Sequence, residues 1–266
     1  MKQRVLSAVV LLAITLTSVL ASEASRVLFF AAAGILCCYE YSRAVEKLGV
    51  YCAAWVMYTY IAAQAVLTLF HLGHLYYIAC MGLGVYLAMF SGILHKKVQG
   101  KGAIYTVAGL AYPGFLFGLL MMIGVGEIWQ QTLLLATAST LVCDSFALFG
   151  GTRFGKHKLA PLVSPHKTVE GAVCGAISSL AAGAIVYFLP IFPELSLPVC
   201  LLTAFLASSM GQIGDLAESL VKRMIGIKDF SNLIPGHGGM FDRADSLLFS
   251  IPTASICLHV ALRLGL

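Results

Sequence analysis

Apolar residues run along this chain in stretches of about 20, long enough for a helix to cross the hydrocarbon core of a bilayer, and polar residues break them at intervals. Nine such stretches are legible, near 5–21, 27–42, 51–70, 76–94, 104–124, 128–149, 171–190, 197–213 and 247–263. The pattern predicts an all-α, polytopic integral membrane protein of about nine transmembrane helices, with its termini on opposite sides. The basic residues test that alternation independently of hydropathy, because Lys and Arg collect in cytoplasmic loops. With the N-terminus cytoplasmic, Lys2, Arg4, Arg43, Lys47, Lys96, Lys97, Lys101, Arg153, Lys156, Lys158, Lys167, Lys222, Arg223, Lys228 and Arg243 fall inside, and only Arg26 and Arg263 fall outside.

Composition agrees with the pattern. Hydrophobic residues make up 59% of the chain and charged residues 11%, against about 25% charged in a typical soluble domain. The net charge of +5 is carried mostly by the inside loops, where it serves topology and attraction to anionic headgroups. It is not a nucleic-acid signal. The eight cysteines lie in or beside apolar stretches with no Cys-x-x-Cys spacing, so they read as small hydrophobes, without a zinc site or a disulfide framework. The start of the chain, Met-Lys-Gln-Arg before an apolar run and Val19-Leu20-Ala21, also satisfies the pattern of a cleavable signal. The near-full span length of that run favours a retained helix, and either outcome leaves the later loops on the same sides.

The chain divides unevenly. Residues 1–130 read as a transmembrane scaffold with short loops, and 131–266 as the catalytic transmembrane region. In the first part Glu40 and Arg43 are spaced to pair at a helix end. His71 and His74 have a two-ligand metal spacing, but two imidazoles without a third ligand make a weak site, and all four residues read as structural.

Chemistry concentrates in two polar, glycine-bearing segments, 140–172 and 208–246. Irregular backbone at membrane depth survives only against protein or a wet cavity. In the first segment Gly150 to Lys156 has the glycine and lysine spacing of a P-loop, but His157 replaces the required Ser/Thr and a membrane helix precedes it where a strand should, which excludes that motif. Two readings remain: a basic glycine-rich loop that holds phosphate oxygens through backbone N–H groups and Lys or Arg side chains, or a loop that is merely positive-inside. Asp144, inside an apolar stretch, would cost about 2.5–3.5 kcal/mol at the bilayer centre if uncompensated, so a metal or basic partner is expected for it. Ser164 and Thr168 are placed to cap the next span, with Glu170 favourable in its first turn, and capping is compatible with ligand binding.

In the second segment Asp215, Glu218 and Lys222 fall at i, i+3 and i+7, which puts two carboxylates and a cation on one helix face. Asp242 and Asp245 repeat the i, i+3 spacing at the start of the ninth span, where negative charge suits a helix N-terminus. Hard oxygen donors without thiolates favour Mg2+. Interleaved with basic residues, they point to phosphoryl or nucleotidyl transfer, in which positioning and electrostatic stabilisation carry most of the catalysis. The alternative is a salt-bridge network, which would not require the close backbone approach that Gly236, Gly238 and Gly239 around His237 imply.

The segment resembles the phosphatidate cytidylyltransferases, also called CDP-diacylglycerol synthases. Their pattern of Ser-x-apolar-Lys-Arg, four residues, Lys-Asp, then His-Gly-Gly, two residues, Asp-Arg, one residue and Asp is met by Ser219, Lys222, Arg223, Lys228, Asp229, His237, Gly238, Gly239, Asp242, Arg243 and Asp245. Ser164-Pro165-x-Lys167-Thr168-x-Glu170-Gly171 and Gly214-Asp215-x-x-Glu218-Ser219 are similar to further family elements, so the resemblance spans roughly 144–246. The chain departs from the pattern at His166, where a second lysine is common, and at Leu148, where an aromatic residue is expected.

The resemblance implies an enzyme that converts CTP and phosphatidic acid into CDP-diacylglycerol and pyrophosphate with Mg2+, at the cytoplasmic face of a bacterial inner membrane. It implies Asp215 and Asp242 as first metal ligands, with Asp144 and Asp245 in support. Lys222, Lys228, His237 and Arg243 would act with Asp215 and Asp242 in catalysis. Ser164, Lys167, Thr168, Glu218, Ser219, Arg223, Gly238 and Gly239 would contact substrate. The implied partners are CTP, phosphatidic acid and the lipid bilayer, with no nucleic acid, and the apolar faces of the N-terminal spans are compatible with a homodimer. The rival readings are a CTP-dependent polyprenol kinase, a cytidylyltransferase of another lipid such as an archaeal one, and, from a different class, an ion-coupled transporter. A transporter would show inverted repeats and interrupted helices in corresponding halves, whereas the polar residues here concentrate in the C-terminal half.

Overall fold

A computed structural model describes residues 2–189, 195–234, 236 and 238–266. His237, expected above to act on phosphate, lies outside the described residues. The elements run in the order α1 (Lys2–Ala21), α2 (Glu23–Glu46), α3 (Ala54–Leu69), α4 (His74–Leu94), α5 (Gln99–Gly109), α6 (Leu116–Gly124), α7 (Trp129–Phe154), β1 (Lys158–Ala160), β2 (Ser164–Thr168), α8 (Val169–Tyr187), α9 (Leu197–Ile225), α10 (Phe241–Ala244) and α11 (Leu247–Leu264). The only sheet among the described residues is the antiparallel pair β1–β2. The described residues are therefore mainly helical, as a backbone surrounded by hydrocarbon must be if its N–H and C=O groups are to be satisfied within each segment.

Among the described residues each of the nine apolar stretches lies mostly on helix. Among the described residues seven helical segments are long and apolar enough to cross a membrane: α2, α4, the α5–α6 run, α7, α8, α9 and the run from Phe241 to Leu264. The apolar segments Val9–Ala21 and α3 are shorter. The stretch read as one span over 104–124 is interrupted, because Leu110–Phe115 forms a π-helical turn and Tyr112, before Pro113, has the extended conformation of φ −143° and ψ 104°. Proline disfavours the helical region for the residue preceding it and removes a donor, which accounts for the kink.

The chain forms two compact units. One comprises the residues up to Val125 together with Met224–Arg243, and the other Gly126–Arg223 together with Ala244–Leu266. In the first, α2 is the central helix. It packs against α1, α3, α5 and α6, and its Val27, Cys37, Cys38 and Val45 are fully buried. Ser22 caps it by accepting from the N–H of Ser25 at 3.1 Å, while the Ser25 hydroxyl accepts from the N–H of Ser22 at 2.9 Å. Arg26, placed outside by the charge pattern, is buried and donates to the carbonyls of Gly124 at 2.7 Å and Val19 at 3.0 Å, tying three helix ends together.

In the second unit α7 and α8 pack along much of their length, with α11 also against α7. Leu135, Val186, Cys200, Ala204 and Leu258 form its apolar core. The close approach of α7 and α8 is set by small residues, as is usual where lipid offers no hydrophobic drive between helices. A Cβ added at Gly150 would stand 2.6 Å from the Cys174 Cβ, at Gly171 2.6 Å from the Ala147 carbonyl oxygen, and at Gly175 2.7 Å from that of Cys143. This corrects the expectation of a glycine-rich phosphate loop. Helix α7 continues to Phe154, so Gly150 and Gly151 are helical and serve packing.

Candidate functional site

In the second unit, α9 carries its polar face where the sequence spacing puts it. Gly214 allows the approach, since a Cβ there would lie 2.5 Å from the Asp245 carbonyl oxygen and 2.8 Å from the Phe249 ring. As a result Asp245, in the turn between α10 and α11, comes beside Asp215 and Glu218 of α9. One carboxylate oxygen from each of the three lies within 4.8 Å of the others. Glu218 is fully buried, and Asp215 and Asp245 are half-buried.

Three carboxylates this close repel one another unless cations accompany them. Lys167, at the end of β2, is paired with Asp215, and Lys222, one turn along α9, is paired with Glu218. Among the described residues the cluster sets these three acids beside two ammonium groups. The donors are all hard oxygens, so the three residues are a group that could hold a metal ion. Ser219 extends the polar face, its hydroxyl 3.5 Å from Asp215 Oδ1, while Asp245 Oδ1 accepts from the N–H of Ser246 at 2.6 Å.

Asp215 and Lys167 also line a cavity of about 480 Å³ with Asp144, Gly151, Thr152, His166, Thr168 and Gln212. Asp144 thus lines the same cavity as Lys167, a basic neighbour of the kind expected for an aspartate inside an apolar helix. The hairpin that delivers Lys167 is fixed at both ends. Thr168 is the N-cap of α8 and accepts from the Gly171 N–H at 3.2 Å. Glu170, expected only as a first-turn charge, accepts from the N–H groups of Lys156 at 3.0 Å and His157 at 3.2 Å and lies 2.6 Å from His157 Nδ1. Ser164 sits in β2 and not at a helix cap, a correction that follows from the hairpin separating it from α8. Arg223 Nε donates to the Val163 carbonyl at 3.2 Å in the hairpin turn.

In the first unit, the segment between α9 and α10 holds Lys228, Asp229, Gly238 and Gly239, and α10 holds Asp242 and Arg243. Lys228, Asp229 and Arg243 are exposed, whereas Gly239 and Asp242 are buried. Asp242 Oδ2 accepts from the N–H groups of Phe230 at 3.0 Å and Gly239 at 2.8 Å, so this carboxylate closes the segment on itself. A bridge between Ile234 and Gly238, the latter with φ +83°, narrows the loop, and the Phe230 and Phe241 rings stack at 4.6 Å.

Glu40, read from the sequence as a structural partner of Arg43, has other partners. Its expected partner Arg43 instead bonds Glu46, at 2.6 Å, because the pair at i, i+3 lies on the exposed side of α2. Glu40 faces inward and accepts from the Ser231 hydroxyl and from the N–H groups of Met240 and Phe241. A carboxylate within an apolar stretch was the available signal. Gln212, whose amide donates to the Ala172 carbonyl at 3.2 Å, was likewise legible as a polar residue within a span. His71 pairs with Glu23 at 3.0 Å, which gives it a structural role of the kind expected.

The sequence model of the Cytidylyltransferase family matches residues 2–261. The chain is 36% identical over 156 residues to the phosphatidate cytidylyltransferase of Staphylococcus haemolyticus (strain JCSC1435), 59% of each chain, and equally so to that of Staphylococcus saprophyticus subsp. saprophyticus. The matched stretch thus spans about three-fifths of those relatives. It is 32% identical over 250 residues to the phosphatidate cytidylyltransferase of Brucella abortus biovar 1 (strain 9-941), covering 93% of this chain and 89% of that one. A match along nearly its whole length means that the chain belongs to the cytidylyltransferase family.

Proposed function

We propose that the protein transfers the cytidylyl group of CTP to phosphatidic acid, giving CDP-diacylglycerol and pyrophosphate for phospholipid synthesis. The observation that carries this reading is the gathering of Asp215, Glu218 and Asp245, with Lys167 and Lys222 paired to two of them. In the reaction a phosphate oxygen of phosphatidate attacks the α-phosphorus of CTP, the bond from that phosphorus to the bridging oxygen breaks, and pyrophosphate leaves with the electron pair. The nucleophile is already anionic near neutral pH, so the chain need not supply a strong base. Its task is to position and neutralise phosphates.

Asp215 and Asp245, with Glu218 beside them and Asp144 in support, are assigned to Mg2+. When bound, the ion would offset charge on the nucleotide phosphates and on the departing pyrophosphate. Lys167, Lys222 and Arg223 supply further positive charge for the CTP phosphates and the phosphatidate head, and Ser164, Thr168 and Ser219 add hydroxyl groups. Lys228, Arg243 and His237 are given phosphate contacts from the motif alone. Asp242 is assigned to holding the Gly238–Gly239 turn through its Oδ2. The catalytic region is taken as 131–266, with 1–130 as scaffold.

The chain is read as nine spans with a cytoplasmic N-terminus in a bacterial inner membrane, its site open to cytoplasmic CTP and membrane lipid. Seven long apolar helices and two shorter apolar segments support that reading. The apolar N-terminal faces are compatible with a homodimer. By-product analysis of the purified, detergent-solubilised protein with phosphatidate, CTP and Mg2+ tests the reaction class. Pyrophosphate formed in step with cytidine lipid is expected, and CDP released with a phosphorylated lipid would make the protein a kinase.

A further inference from the structure

The described residues between Lys228 and Gly239 form little regular structure, and backbone N–H groups buried in such a segment must find acceptors elsewhere. Two of them find Glu40, on a helix of the part read as scaffold. Glu40 is 1% exposed. Its Oε1 accepts from the Ser231 hydroxyl at 2.5 Å and the Met240 N–H at 3.0 Å, and its Oε2 accepts from the Phe241 N–H at 2.8 Å. The neighbouring glycine is shaped to it, because a Cβ on Gly239 would stand 2.6 Å from both Glu40 oxygens. A carboxylate is costly to bury without donors. Here it is satisfied by the loop it orders.

We infer that Glu40 is a positioning residue for the reaction: it fixes the turn carrying Gly238, Gly239, Asp242 and Arg243. The inference rests on the proposed reading of that motif as part of the cytidylyltransferase site. Asp242 holds the same turn from inside the segment, through Phe230 and Gly239. Glu40 holds it from outside, at Met240 and Phe241. The pair defines which way the turn presents its backbone and the side chains that follow.

Glu40→Gln offers one oxygen in place of two, so an amide NH2 faces the N–H of Met240 or Phe241 in either orientation. In the purified protein, hydrogen exchange at the Met240 and Phe241 amides should quicken by about tenfold or more as those hydrogen bonds open. The kcat per folded molecule should fall by about tenfold or more. Ser231→Ala, which removes only the hydroxyl contact, should leave both within about threefold. Should Glu40→Gln fail to accumulate, Gly239→Ala presses a methyl group on the same carboxylate and should loosen the same amides. Unchanged exchange at Met240 and Phe241, or activity that falls only with the folded fraction, would overturn the inference. Were the wild-type protein to make no cytidine lipid, the functional reading would fail, while the exchange data would still decide whether Glu40 frames the turn.

Discussion

At the scale of single residues, the buried Glu218 and its partner Lys222 show how this protein keeps charge inside an apolar chain. Such a pair is weak evidence for stability as such, but removing Lys222 takes from the buried Glu218 a charge that offsets its own. Lys222→Ala should therefore destabilise the folded protein by about 3 kcal/mol. The double variant Glu218→Gln/Lys222→Met should recover much of that loss, and thermal unfolding in detergent measures both. Equal destabilisation by the single and the double variant would mean that the pair has no such coupling. This pair was legible in the sequence, since the i, i+4 spacing of Glu218 and Lys222 follows from helix geometry alone. The ligation of Met240 and Phe241 by Glu40 was not. It joins positions about 200 apart in the chain, where local spacing carries no information and only the oddity of a glutamate in an apolar stretch hints at a partner.

At the scale of elements, the hydrophobic pattern located the helices well because a long apolar stretch keeps its backbone N–H and C=O groups satisfied within the segment only as a helix. It misjudged where α7 ends. Gly150 and Gly151 read as loop residues, since glycine disfavours helix in water. Here they lie on α7 because α8 packs so closely that a side chain would meet Cys174 or Thr168. Gly171→Ala and Gly175→Ala should each force α7 and α8 apart and cost about 1–3 kcal/mol. Gly82→Ala in α4, where nothing lies within 4 Å of the added Cβ, should be neutral or gain helix propensity of up to about 1 kcal/mol. Unfolding midpoints of the three variants make the comparison. Loss of stability in Gly82→Ala equal to that in Gly171→Ala would remove the packing argument. The hairpin β1–β2 was also missed, for three-residue and five-residue strands held by Glu170 and Thr168 leave almost no periodic trace.

At the scale of the whole molecule, the division of charge predicts sides as well as spans. A cysteine placed at Leu162, which is 92% exposed in the hairpin turn, should react with a membrane-impermeant maleimide only from the cytoplasmic face. A cysteine at His71, in the turn after α3, should react only from the opposite face. Labelling of both from one side would break the proposed alternation. The central claim, however, is chemical: the carboxylates gathered at Asp215, Glu218 and Asp245 carry cytidylyl transfer to lipid. The most direct measurement is incorporation of cytidine-labelled CTP into lipid by the purified protein, with phosphatidic acid supplied or omitted and Mg2+ supplied or chelated, for wild type and Asp215→Ala side by side. Label should enter lipid only when both are present, and the folded Asp215→Ala variant should be slower by about 100-fold or more. Cytidine lipid formed without Mg2+, or near-normal turnover in the variant, would contradict it.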